Sequence, residues 1–215
     1  MAVVAVLTIC AAACGGPPEP SQDSAPSAEE PQKINPARIE RARSALPAGY
    51  EVADLEGPIG PITAWGYGAQ WSTDPPTCAV LVDPAADAAS SSGWSASGPG
   101  GIVYSVVADA AAPLDPGTID ECGRFTVAGG RTTGSVTLGP APVIDDAPTV
   151  ALGTASTTVV EGGTETRSHA NTVTAYLGDH VAFVTVVTDP GSPHPQLGSA
   201  FAATLMRETV SALRG

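Results

Sequence analysis

The chain has 215 residues, a formal net charge of −13 at pH 7 and 43% hydrophobic residues, which is the composition of a globular protein. Binding of nucleic acid requires clustered Lys and Arg, which nine basic residues against 22 acidic ones do not supply. The same charge repels anionic lipid headgroups, so any attachment to a membrane has to come from a lipid anchor.

The first feature in chain order is typical of a bacterial lipoprotein signal. The apolar residues 1–13 end in three alanines, whose small side chains suit a signal peptidase, and Cys14 follows as the acceptor of the lipid. Cys10 is a poorer acceptor because Ile9 before it is bulky. The segment is shorter than the roughly 20 residues that a permanent membrane span needs, and an ordinary secretory signal or a short buried helix is the alternative. It has no basic flank, so we expect the natural start to lie upstream.

Residues 14–35 are predicted to be a tether between the lipidated Cys14 and the folded part of the chain. They are rich in Pro, Ser and Glu and nearly free of apolar residues, so they cannot bury enough surface to fold. A flexible tether of this length spans on the order of 25–60 Å. We therefore expect the protein to be lipid-anchored at the extracytoplasmic face of the cell membrane, with one folded domain over residues 36–215.

The domain is predicted to open with a helix followed by a strand. Asn35 can cap the helix, Pro36 suits its first turn, and the helix continues to Leu46, where Pro47 ends it. Residues 50–53 then alternate between apolar and polar side chains as a strand does.

Four aromatic residues, Trp65, Tyr67, Trp71 and Trp94, are the candidate ligand-binding residues because aromatic rings stack on sugars and apolar chains. The first three share one face if their segment is extended. Trp94 lies in residues 87–101, a Ser-, Gly- and Ala-rich segment predicted to be a long loop, and is expected to be the most exposed of the four. Packing in the core is the alternative, and the scarcity of large side chains in this chain favours it.

Two short helices are predicted to carry cysteines. Pro75 and Pro76 open the first, which places Cys78, and Asp115 caps the second, which places Cys122. An even number of cysteines in an exported domain favours a disulfide between them. A zinc site is less favoured because neither cysteine belongs to a CxxC motif.

The rest of the chain is predicted to form strands and a final helix. Residues 101–108 and 150–160 are single strands, and residues 124–138 and 166–188 are hairpins. An amphipathic helix over residues 196–213 packs its apolar stripe on the sheet. The predicted fold class is α+β, a twisted antiparallel β-sheet flanked by N- and C-terminal helices, with one disulfide.

The last predictions concern the turn of the second hairpin, the three histidines and the motifs of known enzymes. A two-residue turn at 178–179 pairs Tyr176 with Val181. His169, His180 and His194 lack metal-ligand spacing; His180 is expected to be a solvated turn residue, and His169 to lie on the surface. Motifs for a nucleophilic serine, a zinc protease or a phosphate-binding loop are missing. We therefore predict no catalytic residue, metal ligand or cofactor.

The cysteine motifs and the end of the opening helix resemble a known family. The segments Leu46-Pro47-Ala48-Gly49-Tyr50 and Pro75-Pro76-Thr77-Cys78, with Cys122 and the lipoprotein cysteine, resemble the mycobacterial lipoproteins related to the PknH-type extracellular sensor domain. The resemblance implies an antiparallel sheet flanked by helices, with a cleft for an unidentified ligand. The kinase sensor domain has two disulfides, whereas this chain can form one. Because no kinase domain or spanning helix is found here, sensing would require a separate partner.

Three hypotheses about function follow. The expected one is a non-enzymatic ligand-binding or sensor-like module of the cell envelope, which captures a hydrophobic or glycan ligand or docks on an envelope protein. It predicts a concave apolar or aromatic pocket without convergent titratable groups. The second is an envelope hydrolase with a dispersed site, which predicts a histidine within hydrogen-bond reach of a serine or carboxylate in a cleft. The third is a structural or partner-docking surface lipoprotein without a pocket.

Overall fold

The structure, a computed structural model, describes Ala2, residues 33–109 and residues 113–215. The expected signal peptide, Cys14 and the tether up to residue 32 lie outside the described residues. Lys33–Gly215 form one compact unit. Within the described part of the chain, no helix has the length and apolar character to cross a membrane.

The described residues contain one antiparallel sheet of nine strands, in the spatial order β1-β3-β4-β9-β8-β7-β6-β5-β2. The strands are β1 Glu51–Asp54, β2 Trp71–Asp74, β3 Ser91–Gly98, β4 Gly101–Asp109, β5 Arg124–Gly129, β6 Thr132–Gly139, β7 Thr149–Val159, β8 Glu165–Tyr176 and β9 His180–Thr188. Both edge strands, β1 and β2, are short, which limits pairing with a second chain.

The described helices comprise one long helix and several short ones. They are an opening 3₁₀ helix Pro36–Ala45, α1 Pro61–Ala64, a 3₁₀ turn Pro76–Cys78 that leads into α2 Ala79–Val82, α3 Pro116–Glu121, a 3₁₀ turn Glu161–Gly163, and α4 Ser199–Arg214. The predicted α+β class, with an antiparallel sheet, a helix near each end and one disulfide, is confirmed.

One face of the sheet, termed the helix face, is covered by the opening helix and α4. Asn35 caps the opening helix by accepting a hydrogen bond from the Ala37 backbone N–H at 3.2 Å. The apolar stripe of α4 is buried, and its Thr209 hydroxyl forms a hydrogen bond of 3.2 Å with the Ser105 hydroxyl of β4. The core on this side includes Val184 and Val186 of β9. Burial of these apolar side chains holds both terminal helices on the same face.

The opposite face, termed the disulfide face, is covered by residues 61–67, residues 76–82 and α3. Cys78 and Cys122 form a disulfide with a Cα–Cα distance of 5.7 Å, and both residues are fully buried. Cys78 ends the 3₁₀ turn before α2, and Cys122 directly follows α3, so the bond ties these two short helices together. The predicted disulfide is confirmed.

The last hairpin has the predicted register. Tyr176 pairs with Val181 and Thr174 with Phe183. Gly178 has a φ of 73°, which a glycine adopts without strain, so the tight turn fixes the pairing.

Two boundaries differ from expectation. Residues 87–101 contain strand β3 instead of a long loop, because their small side chains fit against β4: a Cβ at Gly93 would lie 2.6 Å from the Ser105 carbonyl oxygen. The compact unit also includes the last residues assigned to the tether. Ile34 is 9% exposed, and the Asn35 N–H donates to the Leu213 carbonyl at 2.9 Å.

Candidate functional site

Trp94 is fully buried, which corrects the expectation that it is the most exposed candidate. Its exposed fraction is 0%, and its indole Nε1 donates a hydrogen bond to the Ile39 carbonyl at 3.1 Å. The Ser and Gly residues around it belong to strand β3, and the opening helix covers the ring. Trp94 therefore packs in the core of the helix face.

Trp65 and Tyr67 are also buried, on the disulfide face. The Trp65 Nε1 donates to the Thr172 hydroxyl at 2.9 Å, and the Tyr67 hydroxyl shares a hydrogen bond of 3.0 Å with the Ser156 hydroxyl. A Cβ at Gly134 would lie 2.4 Å from the Tyr67 hydroxyl oxygen. Residue 134 therefore has to be a glycine to leave room for the Tyr67 ring. Burial raises the pKa of Tyr67, and the bond to Ser156 partly opposes this. Both aromatic residues join the covering segment to the sheet.

Trp71 is the candidate that reaches the surface. It starts the edge strand β2, is half-buried, and lines a cavity of about 360 Å³. We call this cavity the acidic cup; it is lined by Trp71, Ala79, Val80, Asp83, Pro84, Ala85, Ala86, Asp87, Ala88 and Asp109. These residues come from β2, α2, the segment that follows α2, and the end of β4. A cavity of this volume is within the range of small-molecule sites.

Asp83 is the most constrained carboxylate of the acidic cup. It follows α2 directly, and its side chain packs against Gly60, where a Cβ would lie 2.3 Å from the Asp83 Oδ1. Burial raises the pKa of Asp83, and the negative charge of Asp87 raises it further. Among the described residues, the Asp83 carboxylate has no hydrogen-bonding or ionic partner. None of the nine Lys and Arg residues lines the cup.

Asp109 connects the acidic cup to a polar cluster at the tip of the last hairpin. Its Oδ2 accepts a hydrogen bond from the Ser90 hydroxyl at 2.7 Å, and its Oδ1 lies 3.5 Å from the His180 Nε2. The His180 Nδ1 lies 2.6 Å from the Asp179 Oδ1. The hydrogen bond and the charge of His180 lower the pKa of Asp179. His180 is therefore held between two carboxylates, with 14% of its side chain exposed, and is not the freely solvated residue expected from the sequence.

The other histidines lie apart from this cluster. His169 is an exposed residue of β8, in agreement with the surface position expected, and His194 is exposed between β9 and α4. Within the described residues, no group of three or more His, Cys, Asp or Glu side chains is arranged to hold a metal ion. The candidate site thus reduces to Trp71 and the carboxylates of the acidic cup.

Sequence reasoning singled out Trp71 but missed all three carboxylates. Asp83 and Asp87 lie in an Asp- and Ala-rich segment that carries no motif, and Asp109 ends a strand. All three line one cavity, which is built from separate elements of the chain, and local sequence patterns do not show which elements come together. The available local signal was the run of acidic and small residues after α2, next to an aromatic edge strand.

A second cavity, of about 510 Å³, lies at the other end of β4. Its lining includes the β3–β4 turn, with Gly98 and Gly101, and Ile102 and Val187 from the disulfide face. It contains no aromatic ring and one carboxylate, that of Asp189. It offers less chemical selectivity than the acidic cup.

Comparisons with known proteins identify a family and a fold. The model of a family described as "Domain of unknown function (DUF5642)" matches residues 35–214. None of the curated proteins matches the sequence. The structure is similar to the X-ray structure of an uncharacterized protein of Mycobacterium smegmatis, the Rv0999 ortholog, with 21% identity, a TM-score of 0.60, and coverage of 85% of this chain and 98% of that one. It also matches the extracellular domain of PknH from Mycobacterium tuberculosis, with 12% identity, a TM-score of 0.47, and coverage of 85% and 92%. At these identities the likeness concerns the fold.

Proposed function

The chain belongs to the DUF5642 family, and from this premise we propose that it is a non-enzymatic ligand-binding module held on the extracytoplasmic face of the cell membrane. The lipid on Cys14 is the proposed anchor, and the ligand is a component of the cell envelope. A disulfide in the folded unit fits an oxidising compartment outside the cytoplasm.

The observation that carries the ligand-binding proposal is the unpaired Asp83 carboxylate beside Trp71. A half-buried charge without a partner costs folding free energy, whereas ordinary surface carboxylates avoid that cost by staying in water. Titratable groups that are perturbed in this way, and that lie in a concave apolar site, are typical of binding sites. The exposed part of the Trp71 ring adds a surface on which an apolar ligand can pack.

The polar cluster beside the acidic cup favours binding over hydrolysis. A nucleophilic serine of the triad type needs the imidazole of a histidine in contact with its hydroxyl. Here the Ser90 hydroxyl donates to Asp109, and both nitrogens of His180 face carboxylates. The hydrolase hypothesis predicts a histidine within hydrogen-bond reach of a serine or a carboxylate. The His180 imidazole meets that distance, but the groups it contacts are carboxylates and not the serine.

Native mass spectrometry tests the proposal. The protein is purified from a mycobacterial host, and its mass is compared before and after denaturation. We expect a non-covalent ligand that accompanies the wild-type protein and is lost from the Trp71→Ala variant, while the control variant Val160→Ala, which shortens an exposed apolar side chain outside the cup, keeps it. Thermal melts establish that both variants are folded. A ligand-free wild-type protein, or equal ligand in the Trp71→Ala variant, would contradict the proposal and favour a structural or partner-docking role.

A further inference from the structure

We propose that the acidic cup selects an organic cation, a molecule in which a protonated or quaternary nitrogen is attached to an apolar body. This inference rests on the proposed ligand-binding function and assigns its ligand class. It follows from three features of the described residues: the sign of the charge around the cup, the apolar character of its walls, and the separation of its carboxylates.

The charge around the acidic cup is negative. Asp83, Asp87 and Asp109 line it, and no Lys or Arg does. The negative charge of the Asp109 carboxylate is partly compensated by the hydrogen bond from the Ser90 hydroxyl, and by His180 when that imidazole is protonated. Asp83 and Asp87 have no such partner among the described residues, so an anion is repelled and a cation removes the cost of an unpaired carboxylate. The net charge of −13 adds a long-range attraction for cations.

The walls of the acidic cup indicate that the cation has an apolar body. Val80 is 42% exposed on α2, and alanines supply most of the remaining apolar lining. Such side chains offer no hydrogen bonds to sugar hydroxyls, so a glycan would have only the three carboxylates with which to replace its bound water. The Trp71 ring presents a π-system to which a cationic nitrogen is attracted.

The arrangement of the carboxylates argues against a metal ion as the occupant. A divalent cation such as Ca²⁺ requires several oxygen ligands at 2.3–2.6 Å from one point. No three acidic, histidine or cysteine side chains of the described residues converge in this way. Carboxylates that line an apolar cavity without converging on one point suit a larger cation with a diffuse charge.

Heteronuclear NMR titration of the full-length protein tests the inference with three probes of matched shape. Hexylammonium is the cation, hexanol the neutral analogue and hexanoate the anion, each added at pH 7 and low salt. We expect hexylammonium to shift the amide signals of Trp71 and Val80 and the indole signal of Trp71. Its affinity should be about fivefold above that of hexanol, the upper end for one partly exposed charge pair. Hexanoate should bind most weakly.

The Asp83→Asn variant separates charge from shape. It should lower the affinity for hexylammonium about fivefold and leave that for hexanol unchanged. Asp87→Asn should act in the same direction, so the test does not depend on the folding of one variant. Glu161→Gln removes an equal charge from an exposed position just after β7 that does not line the cup, and it should change neither affinity.

Two failures are distinguishable. If hexanol or hexanoate binds the cup as tightly as hexylammonium, or if Asp83→Asn leaves the hexylammonium affinity unchanged, the cation inference is overturned while the ligand-binding function stands. If none of the three probes shifts the signals of the cup and the purified protein also carries no ligand, both proposals are overturned.

Discussion

Asp83 is the residue at which the proposed binding function and the stability of the fold oppose each other. Its carboxylate lies between Gly60 and the acidic cup, half-buried, with the like charge of Asp87 nearby. An apolar or amide side chain at this position would avoid the loss of hydration. The carboxylate therefore lowers the stability of the folded protein at neutral pH, and binding of a cation would recover that free energy.

The pH dependence of stability checks this account. Since burial raises the folded-state pKa of Asp83 above its unfolded value, the folded protein binds this proton more tightly, and the contribution to stability is present at low pH and lost as pH rises through the folded pKa. We expect Asp83→Asn to raise the melting temperature at pH 7 and to have little effect at pH 3, where the wild-type carboxyl is protonated in both states. Thermal melts followed by circular dichroism at the two pH values measure this. A lower melting temperature of the variant at pH 7, or a gain that Glu161→Gln reproduces, would contradict it.

The aromatic candidates show what sequence reasoning can establish for individual residues. Composition limited the large side chains to a few, and core packing was correctly favoured for Trp65 and Tyr67, which are both buried. The prediction that Trp94 is exposed was wrong, because small neighbouring residues in the sequence do not distinguish a loop from a strand that packs under a helix. Trp71 reaches the surface because β2 lies at the edge of the sheet. The position of β2 depends on the order of the strands, which local sequence patterns do not show.

At the scale of elements, the disulfide connects the two short helices that cover one face of the sheet. Cys78 precedes α2, which carries Val80 of the acidic cup and is directly followed by Asp83, and Cys122 follows α3. Closing a loop with a sequence separation of 44 lowers the entropy of the unfolded chain. The bond therefore stabilises the elements that build the cup.

Replacing both cysteines by alanine should lower the free energy of unfolding by about 4 kcal/mol, the chain-entropy value for a loop of this size. Urea unfolding at pH 7 measures the change, and peptide mapping without reduction should recover a peptide that contains linked Cys78 and Cys122 from the wild-type protein. Reducing agent should destabilise the wild-type protein and leave the double variant unaffected. A change below about 1 kcal/mol would mean that the covering helices are held by packing alone.

Elements with strong local signals were predicted well, and those that depend on distant partners were not. The last hairpin was correct to the residue pair because its two-residue turn fixes the register, and the caps of Asn35 and Asp115 located two helix starts. Strand β3 was missed because Ser, Gly and Ala have weak strand preference, and it forms by pairing with the apolar strand β4.

At the scale of the whole molecule, the order of the strands was beyond local reasoning. β1 and β2 are neighbours in sequence but form opposite edges of the sheet. Trp71 of β2 and Asp109 of β4 belong to strands that are far apart in this order, yet both line the same cavity. Because sheet order is decided by contacts between distant segments, the sequence predicted the fold class and one residue of the candidate site but not the site as a whole.

The charge of the whole molecule makes the proposed anchor testable. With a net charge of −13 over the whole chain, the protein gains nothing from anionic headgroups, so membrane attachment should depend on the acyl chains alone. We expect the Cys14→Ser variant, expressed from its own gene in its native host, to move from the membrane fraction to the soluble fraction, and the shift should be the same at low and high salt. Cys10→Ser is the matched control and should remain in the membrane fraction until detergent is added. If the Cys14→Ser variant stays with the membrane, the lipid anchor is wrong, and retention that is lost at high salt would instead indicate attachment through a charged protein partner.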